Sequence, residues 1–319
     1  MRDTAEWYRS FGEIEARGQS AVYEEWALAL AADPELIRVI DGLPLQKRQP
    51  NLIFAVSRLL GAPEGGYAAF REWLLAHWPQ VAEETMMRMT QTNEPRRCAS
   101  LLPALASIPG PLALLEVGAS AGLCLYPDRY SYRYDEREPL HPFDGPSTVL
   151  LDCATTGGVP LPTTLPDIVW RAGIDLSPLD VRSRGDMLWL ETLVWPEQEE
   201  RRQRLRAAIA IAREDPPLLV EGDATSALDA LAAEAPADAT LVVVASGVLV
   251  YLAFDERMRF VEAVRALGTD WISLEGVGGL PSVSASLSDG TAPRGRFVLA
   301  LNERPLAYTG PHGQSLDWL

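Results

Sequence analysis

From residue 112 onward, short apolar runs alternate with stretches of helical periodicity, and this alternation limits the possible folds more than any other feature. The first run, Leu112–Val117, is apolar apart from Glu116, as expected of a buried parallel strand. Similar runs cover 167–174, 218–221, 240–245 and 271–274, and helical stretches cover 197–213, 226–234 and 255–267. Strand–helix alternation predicts an α/β fold with a mostly parallel sheet.

The two ends of the chain differ from this pattern. Residues 1–109 have helical spacing of apolar side chains, as in Trp7, Phe11 and Ile14, and predict an all-helical N-terminal (cap) region. The breaker cluster 108–111 marks the boundary with a second domain, 110–319. Near the C-terminus, two short runs flank 302–304 and predict an antiparallel hairpin.

Composition narrows the function classes. A net charge of -16 disfavours nucleic acid as a partner, because phosphate binding needs a basic surface, and favours a small-molecule or protein substrate. The three cysteines and three histidines have no metal-ligand spacing, so no metal site is predicted. No apolar run is long enough to cross a bilayer, and the polar start is unlike a signal peptide, so we expect a cytoplasmic protein without membrane contact.

The first strand leads into Gly118-Ala119-Ser120-Ala121-Gly122, the glycine loop. We predict that the strand turns sharply into a helix through these glycines, which lets a ligand approach the backbone at the helix N-terminus. The same Gly-x-Ser-x-Gly pattern is also typical of the nucleophile elbow of an α/β-hydrolase, with Ser120 as nucleophile. A tight strand–helix turn without a ligand is the third interpretation.

Polar residues also follow the next predicted strands. Asp175 follows the second strand, where a Rossmann fold binds ribose hydroxyls, since a carboxylate can accept two hydrogen bonds from a diol. Asp223 and Ala224 follow the third strand, where an acidic tip can accept the adenine amino group, and Ser246 follows the fourth. Each aspartate could equally be a helix cap, but their order at successive strand ends favours a shared site.

This series resembles class I S-adenosylmethionine (SAM)-dependent methyltransferases over about residues 110–310. The resemblance implies a Rossmann-like methyltransferase fold with SAM as cofactor, and Ser246 and Gly247 where the sulfonium and the methyl acceptor meet. It also implies that Asp175 binds the ribose and that Asp223 and Ala224 contact the adenine. The residues that would line the loop under the methionine part of SAM are Glu116, Gly118, Ser120 and Gly122.

Two features depart from that family. Ser120 stands where many members have a glycine, and its hydroxyl could contact or crowd the ligand. An insertion at about 129–166 separates the first two strands, and its segment 130–134 alternates like one arm of a hairpin. This insertion is interpreted either as a lid or as an additional sheet edge.

Over its whole length the chain also resembles a bacterial family known as domain of unknown function twenty-three thirty-two. The matching pieces are Gln91–Glu94, the loop region 115–123, Val194–Gln198 and Gly310–Gly313. That resemblance strengthens the fold prediction and implies no reaction.

The sequence does not identify the methyl acceptor or the methylated atom, because methyl transfer depends on positioning and needs no obligatory base. It also leaves the oligomeric state open. The candidates for the acceptor side are Asn93, Glu94, Arg96, Tyr251 and His312. Three functions remain: a SAM-dependent methyltransferase acting on a small molecule, a non-catalytic SAM- or nucleotide-binding protein, and a hydrolase that pairs Ser120 with His312.

Overall fold

The computed structural model describes residues 3–287 and 295–319, and within them the chain forms two compact units. The first unit contains the described residues up to Thr92 together with Ser183–Gln203. The second contains Asn93–Arg182 and Arg204–Leu319. The boundary between the units therefore does not lie at the breaker cluster 108–111. The segment that begins at Asn93 belongs to the second unit, and the later segment Ser183–Gln203 belongs to the first.

The described residues form eleven α-helices, which include the predicted 197–213, 226–234 and 255–267, each to within two residues at either end. They are α1 (Thr4–Ser10), α2 (Ala21–Ala31), α3 (Pro34–Ile40), α4 (Pro50–Leu59), α5 (Tyr67–Met87), α6 (Arg97–Leu105), α7 (Arg184–Thr192), α8 (Glu199–Glu214), α9 (Ala224–Ala232), α10 (Phe254–Leu267) and α11 (Pro281–Ala285). A π-helical segment, Phe11–Ala16, continues α1. No helix in the described ranges combines the length and apolar character that a membrane crossing requires.

The strands belong to the second unit. They are β1 (Leu112–Val117), β2 (Ser131–Tyr134), β3 (Leu150–Thr156), β4 (Ile168–Asp175), β5 (Leu218–Glu221), β6 (Thr240–Ser246), β7 (Asp270–Gly276), β8 (Phe297–Leu301), β9 (Arg304–Thr309) and β10 (Ser315–Trp318). They form one sheet in the order β2-β3-β10-β9-β8-β7-β6-β1-β4-β5. The predicted α/β class with a mostly parallel sheet and antiparallel C-terminal strands is confirmed.

The first unit is held together by an aromatic core. The rings of Trp26 and Phe70 stack with their centroids 3.8 Å apart, and Phe54 contacts both edge-on. At the start of α3, the Asp33 carboxylate accepts hydrogen bonds from the first-turn amides, and Pro34 occupies the first helical position.

Five adjacent strands of the sheet are parallel: β5, β4, β1, β6 and β7. Numbered along the chain, they lie in the order 3-2-1-4-5, which is that of a doubly wound α/β sheet. The order reverses between β1 and β6, so the crevice outside their carboxyl ends is the place where such sheets bind ligands. Helices α9 and α10 bury one face of these strands.

The C-terminal strands pair antiparallel from β7 through β10. The β8–β9 turn places Asn302 and Glu303 at φ +50° and +64°, the left-handed conformations that a tight hairpin turn requires. The Asn302 side chain accepts a hydrogen bond from the Trp271 amide and donates one to Asp270. The predicted hairpin is confirmed.

The insertion forms an additional sheet edge. Strand β2 pairs parallel with β3, and β3 pairs parallel with β10. The hairpin-like interpretation of 130–134 is wrong for most of its length, because only a single antiparallel bridge joins Tyr132 to Leu140. The rings of Tyr130, Tyr132 and Tyr134 are buried, and Tyr134 donates a hydrogen bond to the carbonyl of Ala99 in α6.

Candidate functional site

The glycine loop closes the carboxyl end of β1 against β4. The amides of Gly118 and Ala119 both donate to the carbonyl of Ile174. Gly118, Ser120 and Gly122 have φ values of +72°, +54° and +72°, so the loop turns through three left-handed residues.

The first and last glycines of the loop are needed for close packing. A Cβ on Gly118 would lie 2.4 Å from a methyl carbon of Val248, and one on Gly122 would lie 2.7 Å from Pro217. Both glycines therefore let neighbouring segments approach the loop, whether or not a ligand binds above it.

The predicted helix after the loop is absent, and that part of the prediction is wrong. Only a short 3₁₀ turn, Leu123–Leu125, follows Gly122. Pro127 explains the difference, because it disfavours helical geometry at the preceding residue and cannot donate a helical hydrogen bond. The loop therefore presents no α-helical N-terminus to a ligand.

Asp175, at the end of β4, secures the loop from the side. Its carboxylate accepts hydrogen bonds from the Ser120 amide at 2.8 Å and from the Ser177 amide at 2.9 Å. The Asp175 carbonyl accepts from the Gly222 amide, so the ends of β4 and β5 lie side by side. The residue is half-buried at the strand tip, where the sequence predicts it.

Asp223 lies just beyond the end of β5, close in the fold to Asp175. It is exposed and caps α9, accepting hydrogen bonds from the amides of Thr225 and Ser226. Ala224 is the first residue of α9. Capping accounts for this aspartate without a ligand, and its exposed carboxylate still lies on the side of the sheet where β4 and β5 end.

Asn93 connects the two sides of the glycine loop. Its side-chain amide donates to the Ala119 carbonyl at 3.2 Å, and its side-chain oxygen accepts from the Leu123 amide at 2.9 Å. The residue is buried, so these bonds replace water for two backbone groups of the loop. Asn93 therefore shapes the loop.

Replacing Asn93 with alanine should lower the free energy of unfolding by about 2 kcal/mol, because two buried backbone groups lose their partner. Chemical denaturation measures this change. Gln203→Ala is the matched control: its amide binds Glu199 on the exposed surface of α8, so we expect a change within about 0.5 kcal/mol. Equal losses in the two variants would contradict the role of Asn93 in holding the loop.

Glu94 and Arg96 also have structural partners. Glu94 is buried and forms an ion pair with Arg204 at 3.0 Å. The Arg96 guanidinium donates to the carbonyl of His312, at the start of the turn that leads into β10. These two residues hold neighbouring segments of the second unit together, and neither is placed as an obvious base.

The remaining acceptor-side candidates are Tyr251 and His312. Tyr251 ends a 3₁₀ turn after β6, and its side chain is 69% exposed. His312 is half-buried, and its backbone amide donates to the Gln314 side chain.

Arg97 is a buried cation at the centre of the site. Its Nη1 donates to the Ser246 carbonyl at 2.7 Å, and its Nε donates to the Pro311 carbonyl at 3.0 Å. Its guanidinium lies against Gly247, where a Cβ would be 2.8 Å from Nη2. Arg97 therefore fixes the turn at the end of β6. This turn and the glycine loop lie on opposite sides of the switch point.

Two buried oxygen atoms near the loop have no hydrogen-bond partner within the described residues: Oε2 of Glu116 and Oγ of Ser120. Burial raises the pKa of the Glu116 carboxyl well above its usual range, and the nearby Arg97 guanidinium only partly opposes this rise. Buried polar atoms normally have partners, so these two atoms mark a place where a ligand could supply them.

Glu275 is a second buried carboxylate, in β7. Its Oε1 accepts hydrogen bonds from the amides of Val248 and Leu249 and so holds the chain that follows β6. Burial raises its pKa, while these two backbone hydrogen bonds lower it.

The serine–histidine pair of a hydrolase is not formed. Ser120 has the positive φ of a nucleophile elbow, but it is only 2% exposed and its Oγ has no hydrogen-bond partner in the described part of the chain. A serine nucleophile needs a base within hydrogen-bond reach. Asp175 binds the Ser120 amide and so orients the backbone there.

The cysteines Cys98, Cys124 and Cys153 are free and buried. A hydrogen bond with the Cys98 thiol, together with burial, raises the pKa of Cys124, and burial raises the pKa of Cys153 to about 12. Within the described residues, no group of three or more His, Cys, Asp or Glu side chains could hold a metal ion.

None of the three thiols should react quickly with Ellman's reagent in the folded protein, because the thiolate is the reactive form and each sulfur is buried. After denaturation all three should react at the rate of ordinary cysteines. Rapid labelling of one thiol under native conditions would contradict the burial described above.

A pocket of about 300 Å³ lies at the opposite end of β1, lined by residues that include Ala106, Leu112 and Pro162–Asp167. Asp167 is its only ionisable residue. It lies at the amino ends of the parallel strands and contains none of the predicted site residues.

Comparison with known proteins identifies the family. The model of a family described as "Uncharacterized protein conserved in bacteria (DUF2332)" matches residues 5–318. The chain belongs to this family. No curated protein and no solved structure matches it. The family description names no reaction, so the function must be argued from the site.

The predicted membership of this family is thus confirmed, and two of the motifs that carried it lie at the site. Asn93 supports the glycine loop, its neighbour Glu94 forms the ion pair with Arg204, and the turn 310–313 accepts hydrogen bonds from Arg96 and Arg97. Sequence reasoning missed Arg97 and Glu275. Glu275 could have been found, because it follows the predicted strand 271–274 just as Asp175 follows its own strand.

Proposed function

We propose that the second unit binds SAM at the switch point between β1 and β6 and transfers its methyl group to a small molecule. One observation carries the proposal. The 3-2-1-4-5 strand order brings Glu116, Asp175 and Ser246 to neighbouring carboxyl ends, where two buried oxygen atoms have no partner in the described chain.

The residues present fit a SAM molecule. Glu116 and Ser120 offer buried oxygen atoms to its methionine part, and Asp175 stands where a Rossmann fold binds ribose hydroxyls. Asp223 and Ala224 are the proposed adenine contacts. Ser246, held through its carbonyl by Arg97, would border the place where the acceptor enters.

When bound, SAM supplies an electrophilic methyl group on a sulfonium. The chain's part is to orient the acceptor in line and to exclude water, which contributes much of the rate in such displacements. Asn93, Asp175 and Glu275 fix the backbone on both sides of the switch point, so the site is held in place before a ligand arrives.

Titration calorimetry with SAM tests the cofactor site. Asp175→Ala should lower the affinity about tenfold or more, because hydrogen bonds to a charged group contribute about 1.5–3 kcal/mol. Asp180→Ala is the matched control, since Asp180 also accepts the amide two residues further along the chain but lies outside the site. Absence of SAM binding to the native protein would refute the proposal.

Transfer is tested separately from binding. The protein is incubated with methyl-labelled SAM and a small-molecule extract, and the demethylated product is measured. Label found in a small molecule supports the transferase activity. Tight binding without any demethylated product would support the cofactor site and contradict the transferase activity.

A further inference from the structure

A small cavity lies beside the end of β7, within the second unit. Its polar side chains are those of Ser273, Glu275 and Ser284, and the rest of its described lining is glycine backbone and apolar residues of the core that α9 and α10 bury. Its volume of about 10 Å³ leaves room for one particle of the size of a water molecule. The groups around the cavity therefore indicate which particle it can hold.

Glu275 brings a carboxylate oxygen without a partner to this cavity. The residue is only 3% exposed, and its Oε1 accepts hydrogen bonds from the amides of Val248 and Leu249. Its Oε2 has no hydrogen bond within the described residues. Amides that donate to a carboxylate favour its charged form, and a buried charge is costly unless a partner neutralises it.

The arginines that hold the neighbouring turns do not supply that partner. Arg97 donates to the carbonyls of Ser246 and Pro311, and Arg257 donates to those of Leu252 and Gly279. Neither guanidinium donates to Oε2 of Glu275, which is unpartnered in that part of the chain. The cavity beside this oxygen atom is therefore the place where a neutralising charge can enter.

We propose that the cavity binds one potassium ion on Oε2 of Glu275. A single positive charge neutralises the single carboxylate, whereas a water molecule would leave that charge buried. A divalent ion prefers several carboxylates, and no group of three acidic, His or Cys side chains in the described chain could hold one. The hydroxyls of Ser273 and Ser284 and the glycine backbone offer the uncharged oxygen atoms that replace the hydration shell of potassium.

The wall of the cavity is fixed before an ion binds. The Gly279 amide donates to the Gly276 carbonyl at 2.8 Å, and Arg257 holds the Gly279 carbonyl at 2.8 Å. A Cβ on Gly279 would lie 3.3 Å from the Cβ of Glu275, so glycine lets this turn approach the carboxylate.

A bound ion would also secure the segment that follows β6. It would keep Glu275 charged and so strengthen the hydrogen bond from the Val248 amide, while the Val248 side chain packs against Gly118 in the glycine loop. The inference concerns an ion and the stability of the fold, so it does not depend on the proposed SAM site.

The first experiment compares the melting temperature of the native protein in potassium chloride and in choline chloride at equal ionic strength, because choline is too large for the cavity. Potassium at about ten times its dissociation constant should raise the melting temperature by about 2–4 °C. In Glu275→Gln this difference should disappear, since glutamine carries no charge. Ser284→Ala should need more potassium for the same shift, because one oxygen ligand is lost.

Two matched variants should respond as the native protein does. Glu303→Gln changes a carboxylate of the same unit that binds Arg265 outside the cavity. Ser286→Ala removes a hydroxyl that donates to the Ser282 carbonyl on the exposed side of the same segment. Equal melting temperatures of the native protein in the two salts would overturn the inference. A potassium response that persists in Glu275→Gln would also overturn it, because the ion would then bind elsewhere.

The second experiment locates the ion. Crystals grown in rubidium chloride are examined for anomalous scattering, because rubidium replaces potassium and a water molecule gives no such signal. A peak beside Oε2 of Glu275 supports the inference. Absence of a peak there would overturn it and assign the cavity to water.

Discussion

Gly313→Ala is expected to lower the free energy of unfolding by about 4 kcal/mol or more, a size reserved for a few mechanisms such as backbone strain. A Cβ at this position would lie 2.0 Å from the Arg96 carbonyl oxygen and 2.8 Å from the Arg97 Cα. Both contacts are with backbone, which cannot rotate away as a side chain can. Gly313 also has φ +76°, a conformation that alanine adopts only at a cost.

Gly268→Ala separates these two effects. Gly268 has φ +64° at the end of α10, and a Cβ there would meet nothing within 4 Å. The free energy of unfolding of Gly268→Ala should therefore fall by about 1 kcal/mol, the cost of the left-handed conformation alone. Chemical denaturation of both variants gives the difference, and similar losses would contradict the close approach of the 310–313 turn to α6.

The Gly313 substitution should also affect ligand binding. The turn that contains Gly313 provides the carbonyls of Pro311 and His312, which accept hydrogen bonds from Arg97 and Arg96. Moving the turn moves both arginines. A surviving Gly313→Ala protein should therefore bind SAM more weakly than the Gly268→Ala protein under the same conditions.

The central strands could be predicted from sequence because their signals are local. Strands β1 and β5 begin and end at the predicted residues, since each is a short apolar run bounded by Gly or Pro. The β8–β9 turn was likewise readable from Asn302 and its neighbours. In each case, residues within a few positions decide the conformation.

The sheet edge could not be predicted, because its pairing is distant in sequence. Strand β3 pairs with β10, which begins about 160 residues later, and β10 is a short segment, Ser315–Trp318, with no clear period. The prediction of a helix after the glycine loop is wrong for a different reason. The glycine pattern favoured a helix, but Pro127 and the Asn93 hydrogen bond to the Leu123 amide favour a short turn instead.

Only the site residues that lie at the ends of strands could be predicted from the sequence. Asp175, Asp223 and Ser246 follow strands, so their positions follow from the topology of a parallel sheet. Arg97 comes from a helix that precedes the sheet, and sequence alone gives no reason to bury it at the end of β6. The burial of such a cation depends on three segments that are distant in sequence, and only the fold brings them together.

Glu116→Gln should make the protein more stable at neutral and alkaline pH. Burial raises the pKa of this carboxyl, so the folded protein keeps a proton that the unfolded chain has released. The stability from this group is fully present below the ordinary carboxyl pKa and is lost as the pH rises through the raised value, by up to about 1.4 kcal/mol per pH unit. Glutamine keeps the shape and does not titrate.

Chemical denaturation of the native protein and of Glu116→Gln, from below the ordinary carboxyl pKa to alkaline pH, measures the difference in the free energy of unfolding. The Glu116→Gln curve should be flatter and should lie above the native curve on the alkaline side. Glu275→Gln is the control, because two backbone amides already stabilise the charged form of Glu275, so its effect should be smaller. A less stable Glu116→Gln protein above neutral pH would mean that the carboxylate is well paired in the folded state.

The same substitution should weaken SAM binding about tenfold or more, because the ammonium group of SAM favours the ionised form of Glu116 and glutamine cannot offer that charge. Decarboxylated SAM, which keeps the ammonium group, should lose affinity to a similar degree, and 5′-methylthioadenosine, which lacks it, should not. If Glu116 had only a structural role, the substitution would not both stabilise the fold and weaken the binding of the two ligands that carry an ammonium group. A gain in stability together with loss of the ammonium-bearing ligands therefore identifies Glu116 as a carboxyl group that serves binding at the expense of the fold.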